Sequence, residues 1–147
     1  MENIRIYEIP KCKMVSSKCA MFGEGKLEMF DEWFSKFERP IFPKDFLWYD
    51  NEKNGFVWYY LYDKTMTVPK EFDLVDFDGG LYAVASGIDG NDSTPIINEI
   101  ISFIDKSENL EIDSSRAYLG NVITPPAAFD LIEYNQMDYY VPIKAKK

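Results

Sequence analysis

Ala128–Lys144, AFDLIEYNQMDYYVPIK, closes the chain, and its reading decides the fold. Two apolar and aromatic runs flank a short polar step, the pattern of a strand pair with a tight turn. One acid, Glu133, lies in the middle of the first run, with Phe129, Leu131 and Ile132 before it and Tyr134 after it. Side chains alternate across a strand. Phe129, Leu131 and Glu133 are therefore expected on one face, and Asp130, Ile132 and Tyr134 on the other. A carboxylate so placed is either solvated at a sheet edge or faces a cavity.

Working outward, the same grammar recurs upstream. Lys11–Phe22 reads as a strand broken by Gly23 and Gly25. In Lys26–Arg39, Leu27, Phe30, Phe34 and Phe37 recur at helical spacing, with Met29 and Trp33 widening the stripe, and Pro40 stops the helix. Phe46–Asp50 and Phe56–Tyr62 are β-rich runs joined by a polar segment ending in Asn-Gly, a hairpin signal. In the second run Phe56, Trp58, Tyr60 and Tyr62 share one face, and Val57, Tyr59 and Leu61 the other. Neither face is polar, so both are covered or one faces a ligand. Phe72–Phe77 and Leu81–Ile88 are further strands. Thr94-Pro95 opens a second helix carrying Ile96, Ile97, Ile100, Ile101 and Ile104.

The fold class expected is α+β, with antiparallel sheets. A strand-helix-strand-strand unit occurs twice, at about residues 1–66 and 67–147. The local match of Leu47–Asn51 (LWYDN) to Leu131–Asn135 (LIEYN) places Trp48 opposite Glu133 in the repeat. Two such modules, too small to bury much surface alone, pair about a pseudo-twofold axis and leave a groove between them. A tryptophan face and a carboxylate meeting there would attract an organic cation.

Composition sets outer bounds. The chain has 147 residues, 46% hydrophobic and 16% aromatic, enough for a core with aromatics to spare for a pocket. Its net charge of −9 argues against direct nucleic-acid binding, which needs clustered cations. The absence of histidine removes the usual general base and metal ligand. Cys12 and Cys19 match no zinc or redox spacing and read as reduced thiols of a cytoplasmic protein. No apolar run is long enough to span a membrane. No metal and no cofactor are expected.

DGGLYAVASGI (Asp78–Ile88) and FDLIEYNQMDYYVPIK (Phe129–Lys144), with the internal repeat, resemble the GyrI-like small-molecule-binding family, also called the bacterial transcription activator effector-binding domain. The first half, with Phe30–Phe34 and DFLWYDN, looks most like the effector domains of AraC-type regulators. The resemblance implies binding of a hydrophobic, often cationic, small molecule between the modules, in multidrug sensing or transcription regulation. It implies Glu133 as the charge partner with Tyr134 beside it, and an acid before the last strand at Asp138. Trp48, Trp58, Tyr49 and Tyr140 are either core or pocket wall, and Trp33 core or groove floor. The chain is then a stand-alone sensor or the effector part of a regulator whose DNA-binding domain acts in trans or lies in a missing segment. Two alternatives remain open. One is a small hydrolase of reactive lipophilic compounds with Glu133 as base. The other is a gyrase-inhibitor-like protein-interaction module.

Overall fold

The first helix forms where the aromatic stripe predicts it, over Lys26–Ser35, and Leu27 and Phe30 are its buried residues. The Glu28 carboxylate reaches back to accept the backbone N–H groups of Gly23 and Gly25, both at 2.9 Å, the second being a donor that the helix start leaves open. The second helix, Thr94–Asp105, starts with proline in its first turn and buries Ile100 and Ile104. The Asp92 carboxylate accepts the Thr94 N–H at 3.0 Å. The computed structural model describes residues 3–147. In chain order its elements are β1 (Arg5–Ile9), β2 (Cys12–Ser16), α1 (Lys26–Ser35), β3 (Asp45–Asp50), β4 (Gly55–Leu61), β5 (Asp73–Phe77), β6 (Gly80–Ile88), α2 (Thr94–Asp105), β7 (Leu110–Ile112), β8 (Leu119–Val122), α3 (Pro126–Ile132) and β9 (Gln136–Ala145). The fold is α+β with antiparallel pairing.

The chain divides into two compact units, Lys11–Asp78 and the described residues up to Pro10 together with Gly79–Lys147. In the first unit the strand order is β3-β4-β2-β5. Val15, Phe30, Tyr60 and Phe72 form its buried cluster, with Trp33, Phe34, Phe37 and Trp58 packed against them. The rings meet mostly edge-on or tilted, as at Phe30–Phe72 (4.9 Å), the geometry that ring quadrupoles favour. In the second unit the order is β1-β6-β9-β8, with β7 also on β9. Ala83, Ala85, Val141 and Ile143 on the sheet pack with Ile100 and Ile104 of α2. The first unit contains the strand-helix-strand-strand order as β2-α1-β3-β4, and the second as β6-α2-β8-β9 with β7 and α3 inserted. The unit limits follow strand pairing, since β1 pairs with β6 and β5 with β2.

The closing segment differs from its sequence reading. Residues Pro126–Ile132 form the helix α3, and only Gln136–Ala145 is a strand. Pro125 and Pro126 set the start of a helix, and Ala127 and Ala128 continue it at no side-chain cost. Glu133 is consequently not a strand residue. It caps α3 in the left-handed region (φ 65°, ψ 22°) and donates its backbone N–H to Phe129 O at 2.8 Å. The LWYDN–LIEYN match is also corrected. In topology β3 corresponds to β8, so Trp48 and Glu133 do not occupy equivalent elements. Two further differences are shorter. The strand expected over Lys11–Phe22 ends at Ser16, before Lys18 takes a positive φ of 66°. The helix expected to Arg39 ends at Ser35.

Two substitutions test this account. Ile100→Ala, at a fully buried position, should cost about 2–5 kcal/mol in denaturant unfolding. Glu133→Gly should stabilise the chain by about 0.5–1 kcal/mol, because glycine takes the left-handed cap without strain. A loss of stability in Glu133→Gly would return that residue to an extended strand.

Candidate functional site

Strand periodicity gives the β1-β6-β9-β8 sheet two unlike faces. Alternate residues of β6 and β9 (Ala83, Ala85, Val141 and Ile143) pack on α2. The intervening ones, Tyr82, Val84, Ser86, Asp138 and Tyr140, point the other way. Register places Ser86 and Asn121 on either side of Asp138. Tyr82, Asn121, Asp138 and Tyr140 are all buried. Burying polar groups costs free energy unless they are hydrogen-bonded, so this face is not an ordinary core.

Asp138 is its electrostatic centre. The Arg5 guanidinium donates to it through Nη2 at 2.6 Å and Nη1 at 3.2 Å, and the Ser86 hydroxyl donates at 2.6 Å. Arg5 also donates to the Tyr7 hydroxyl at 2.6 Å and to Ser86 Oγ at 2.9 Å. Its Cζ lies 5.1 Å from the Tyr7 ring centroid. Hydrogen bonding to Asp138 raises the Arg5 pKa above its ordinary value, so the guanidinium stays charged. Tyr140 joins Tyr7 and Tyr82, with ring centroids 6.3 and 6.0 Å away. Arg5, Tyr7, Tyr82, Ser86 and Asn121 were not nominated from sequence. Period two in RIYEI does set Arg5 and Tyr7 on one face, but only the β1–β6 register brings them beside Ser86 and Asp138.

The nominated residues are divided between the units. Tyr140 belongs to the face just described. Glu133 and Tyr134 are exposed in the same unit, after α3. In the Lys11–Asp78 unit, Trp33 and Trp58 pack into the aromatic cluster under α1. The Trp58 indole donates to the Asp45 carboxylate at 3.1 Å. Burial raises the Asp45 pKa, and this hydrogen bond pulls it partly back. Tyr49 is exposed and meets Phe56 edge-on at 5.1 Å. Trp48 alternates to the face away from α1, beside Tyr59 at 5.9 Å. Its indole N–H is buried and has no hydrogen-bond partner among the described residues. A cleft of about 690 Å³ in this unit, lined by Phe37, Arg39, Lys44, Tyr60, Tyr62 and Met66 among others, includes none of the nominated residues. Among the described residues no cluster of His, Cys, Asp or Glu could hold a metal ion, and no helix is long and apolar enough to cross a membrane.

The Tyr140 hydroxyl is pushed up to about 12, first by burial and then by Asp138 and Tyr7, while a hydrogen bond from Asn121 and the charge of Arg5 pull it back. An unfolded tyrosine ionises near pH ~10, so between the two values only the unfolded chain has lost this proton. Stability from Tyr140 is therefore complete below about pH 10 and is lost as pH rises towards about 12, by at most about 3 kcal/mol. Urea unfolding followed through this range should show that decline, with a shallower slope in Tyr140→Phe. Burial also raises Tyr60 and Tyr139, so part of the slope should remain.

No family model matches the sequence, and no curated protein matches it. Solved structures do. A hydrolase from Listeria innocua is 12% identical, with 97% of this chain and 93% of that one covered, at a TM-score of 0.64. SAV2435 bound to tetraphenylphosphonium is 12% identical, with 98% and 94% covered, at 0.57. EcmrR, in a complex with DNA, is 8% identical, with 96% of this chain and 57% of that one covered, at 0.66. At these identities the likeness is one of fold, and it is consistent with the GyrI-like effector-binding fold expected from the sequence.

Proposed function

We propose that this chain is a GyrI-like module that binds a hydrophobic small molecule, as a stand-alone sensor or as the effector-binding part of a transcription regulator. The observation that carries this reading is the buried polar and aromatic face of the second unit, opposite α2. Tyr82, Asn121, Asp138 and Tyr140 lie there, where a face serving stability alone would be apolar. Ligand sites combine aromatic walls with a few placed polar groups in this way. Tyr140 supplies a wall in this unit. Tetraphenylphosphonium on SAV2435 and DNA with EcmrR lend support by analogy of fold. This chain spans 57% of EcmrR's length, so DNA binding would come from a domain in trans or in a longer chain.

Two acids compete for the role of counter-charge to a cationic ligand. Asp138 is buried and hydrogen-bonded, and Glu133 is exposed at the end of α3. The experiment is a thermal-shift titration of the chain with triphenylmethanol, a neutral lipophile, and methyltriphenylphosphonium, a cation of similar size. A compound that binds only the native state stabilises by about 2.7 kcal/mol at a hundredfold excess over its Kd, a rise of about 5–10 °C here. We expect such a rise with the neutral probe, reduced several-fold in affinity by Tyr140→Phe. A cation response that Glu133→Gln leaves unchanged would remove that acid from the site. Flat titrations with both probes would sink the small-molecule reading.

A further inference from the structure

The geometry points to Arg5 as the residue that sets charge specificity at this face. We propose that its guanidinium occupies the organic-cation position formed by Asp138 and the Tyr7 ring, so that the wild-type chain selects neutral lipophiles over cations. The inference rests on the small-molecule reading above and deepens it. An organic cation is best received by a carboxylate and an aromatic face together. Both are present, and both already hold a cation. Asp138 accepts two hydrogen bonds from Arg5, at 2.6 and 3.2 Å, and a third from Ser86 at 2.6 Å. The Tyr7 ring has the same guanidinium 5.1 Å from its centroid.

The burial is graded in the same sense. The Asp138 side chain is 5% exposed and that of Arg5 38%, so the carboxylate is deep and the guanidinium stands nearer the solvent. A ligand cation reaching the carboxylate would have to displace Arg5. A guanidinium cannot give up its charge by deprotonation and makes charge-assisted, bidentate bonds, so the displacement is costly. A neutral ligand meets no such demand. Arg5 lies on β1, held to β6 from Arg5↔Val84 to Ile9↔Gly80, so ladder pairing presents it at this position.

The test compares the full chain with Arg5→Met, and with Arg5→Met/Asp138→Asn, by calorimetric titration of methyltriphenylphosphonium and triphenylmethanol. Wild type should bind the neutral probe at least tenfold more tightly than the cation. Arg5→Met should tighten the cation at least tenfold relative to the neutral probe, and lose that gain when Asp138→Asn is added. Should Arg5→Met fail to fold by circular dichroism, Arg5→Lys keeps the charge but breaks the bidentate fork, and a cation gain of threefold or more is expected. Neutral binding without any cation gain in the folded variant overturns the role of Arg5 and leaves the small-molecule reading standing. Equal cation binding by wild type and variant overturns it as well. Absence of binding by either probe to every protein overturns both.

Discussion

The β6–β9 ladder is the constraint on which most of the second unit depends. It runs in unbroken register from Leu81↔Ile143 to Ile88↔Gln136. Because side chains alternate, that single register assigns every residue of two long strands to one of two environments. A one-residue slip would put Asp138 and Tyr140 against Ile100 and Ile104, and Val141 among polar groups. The register is further held at one end by Arg116. Its guanidinium donates to the Gly79, Leu81 and Ile143 carbonyls at 3.2, 3.1 and 2.7 Å, and its Nε donates to Asp113 at 2.8 Å. Gly80 is needed there, because its φ is 127° and a Cβ would lie 2.5 Å from the Arg116 guanidinium.

Burying Asp138 is not a cheap way to stabilise a sheet. Removing a carboxylate from water costs several kcal/mol, and attraction to a guanidinium recovers that only when geometry is good and remaining bonds are made. Here they are made, by Ser86 and Tyr7 as well as by the pair itself. An apolar replacement would serve stability at least as well. Polar groups kept at such a cost suit a face that recognises something. The first unit packs differently under α1, where the rings of Phe30, Trp33, Phe34, Phe37 and Tyr60 gather around Val15.

Legibility followed the length and purity of each pattern. The aromatic stripe of α1, the isoleucine stripe of α2 and the β3–β4 hairpin around Asn54-Gly55 were readable because each period runs for many residues between clear stops. Asn54 sits in the turn with a φ of 54°, as such a hairpin asks. The segment before β9 was not readable in the same way. FDLIEY is short and apolar, and alternation over six residues fits a strand as easily as a helical turn. The proline pair ahead of it was the deciding signal. With the helix, Glu133 moved from a supposed strand to an exposed cap. The acid of consequence on the buried face is Asp138.

By itself the sequence determined α1, α2, the β3–β4 hairpin and the long strands, and which residues of each long strand share a face, but not β7, β8 or α3. These follow from local sterics and from periodicities of two and of 3.6 residues, which need no partner to be read. Tertiary structure alone decided which faces meet which neighbours. Arg5 and Asp138 are 133 positions apart and come within 2.6 Å only because β1 and β9 flank β6. No local rule encodes that adjacency, since strand order and register arise from long-range pairing that satisfies backbone groups and buries apolar faces together.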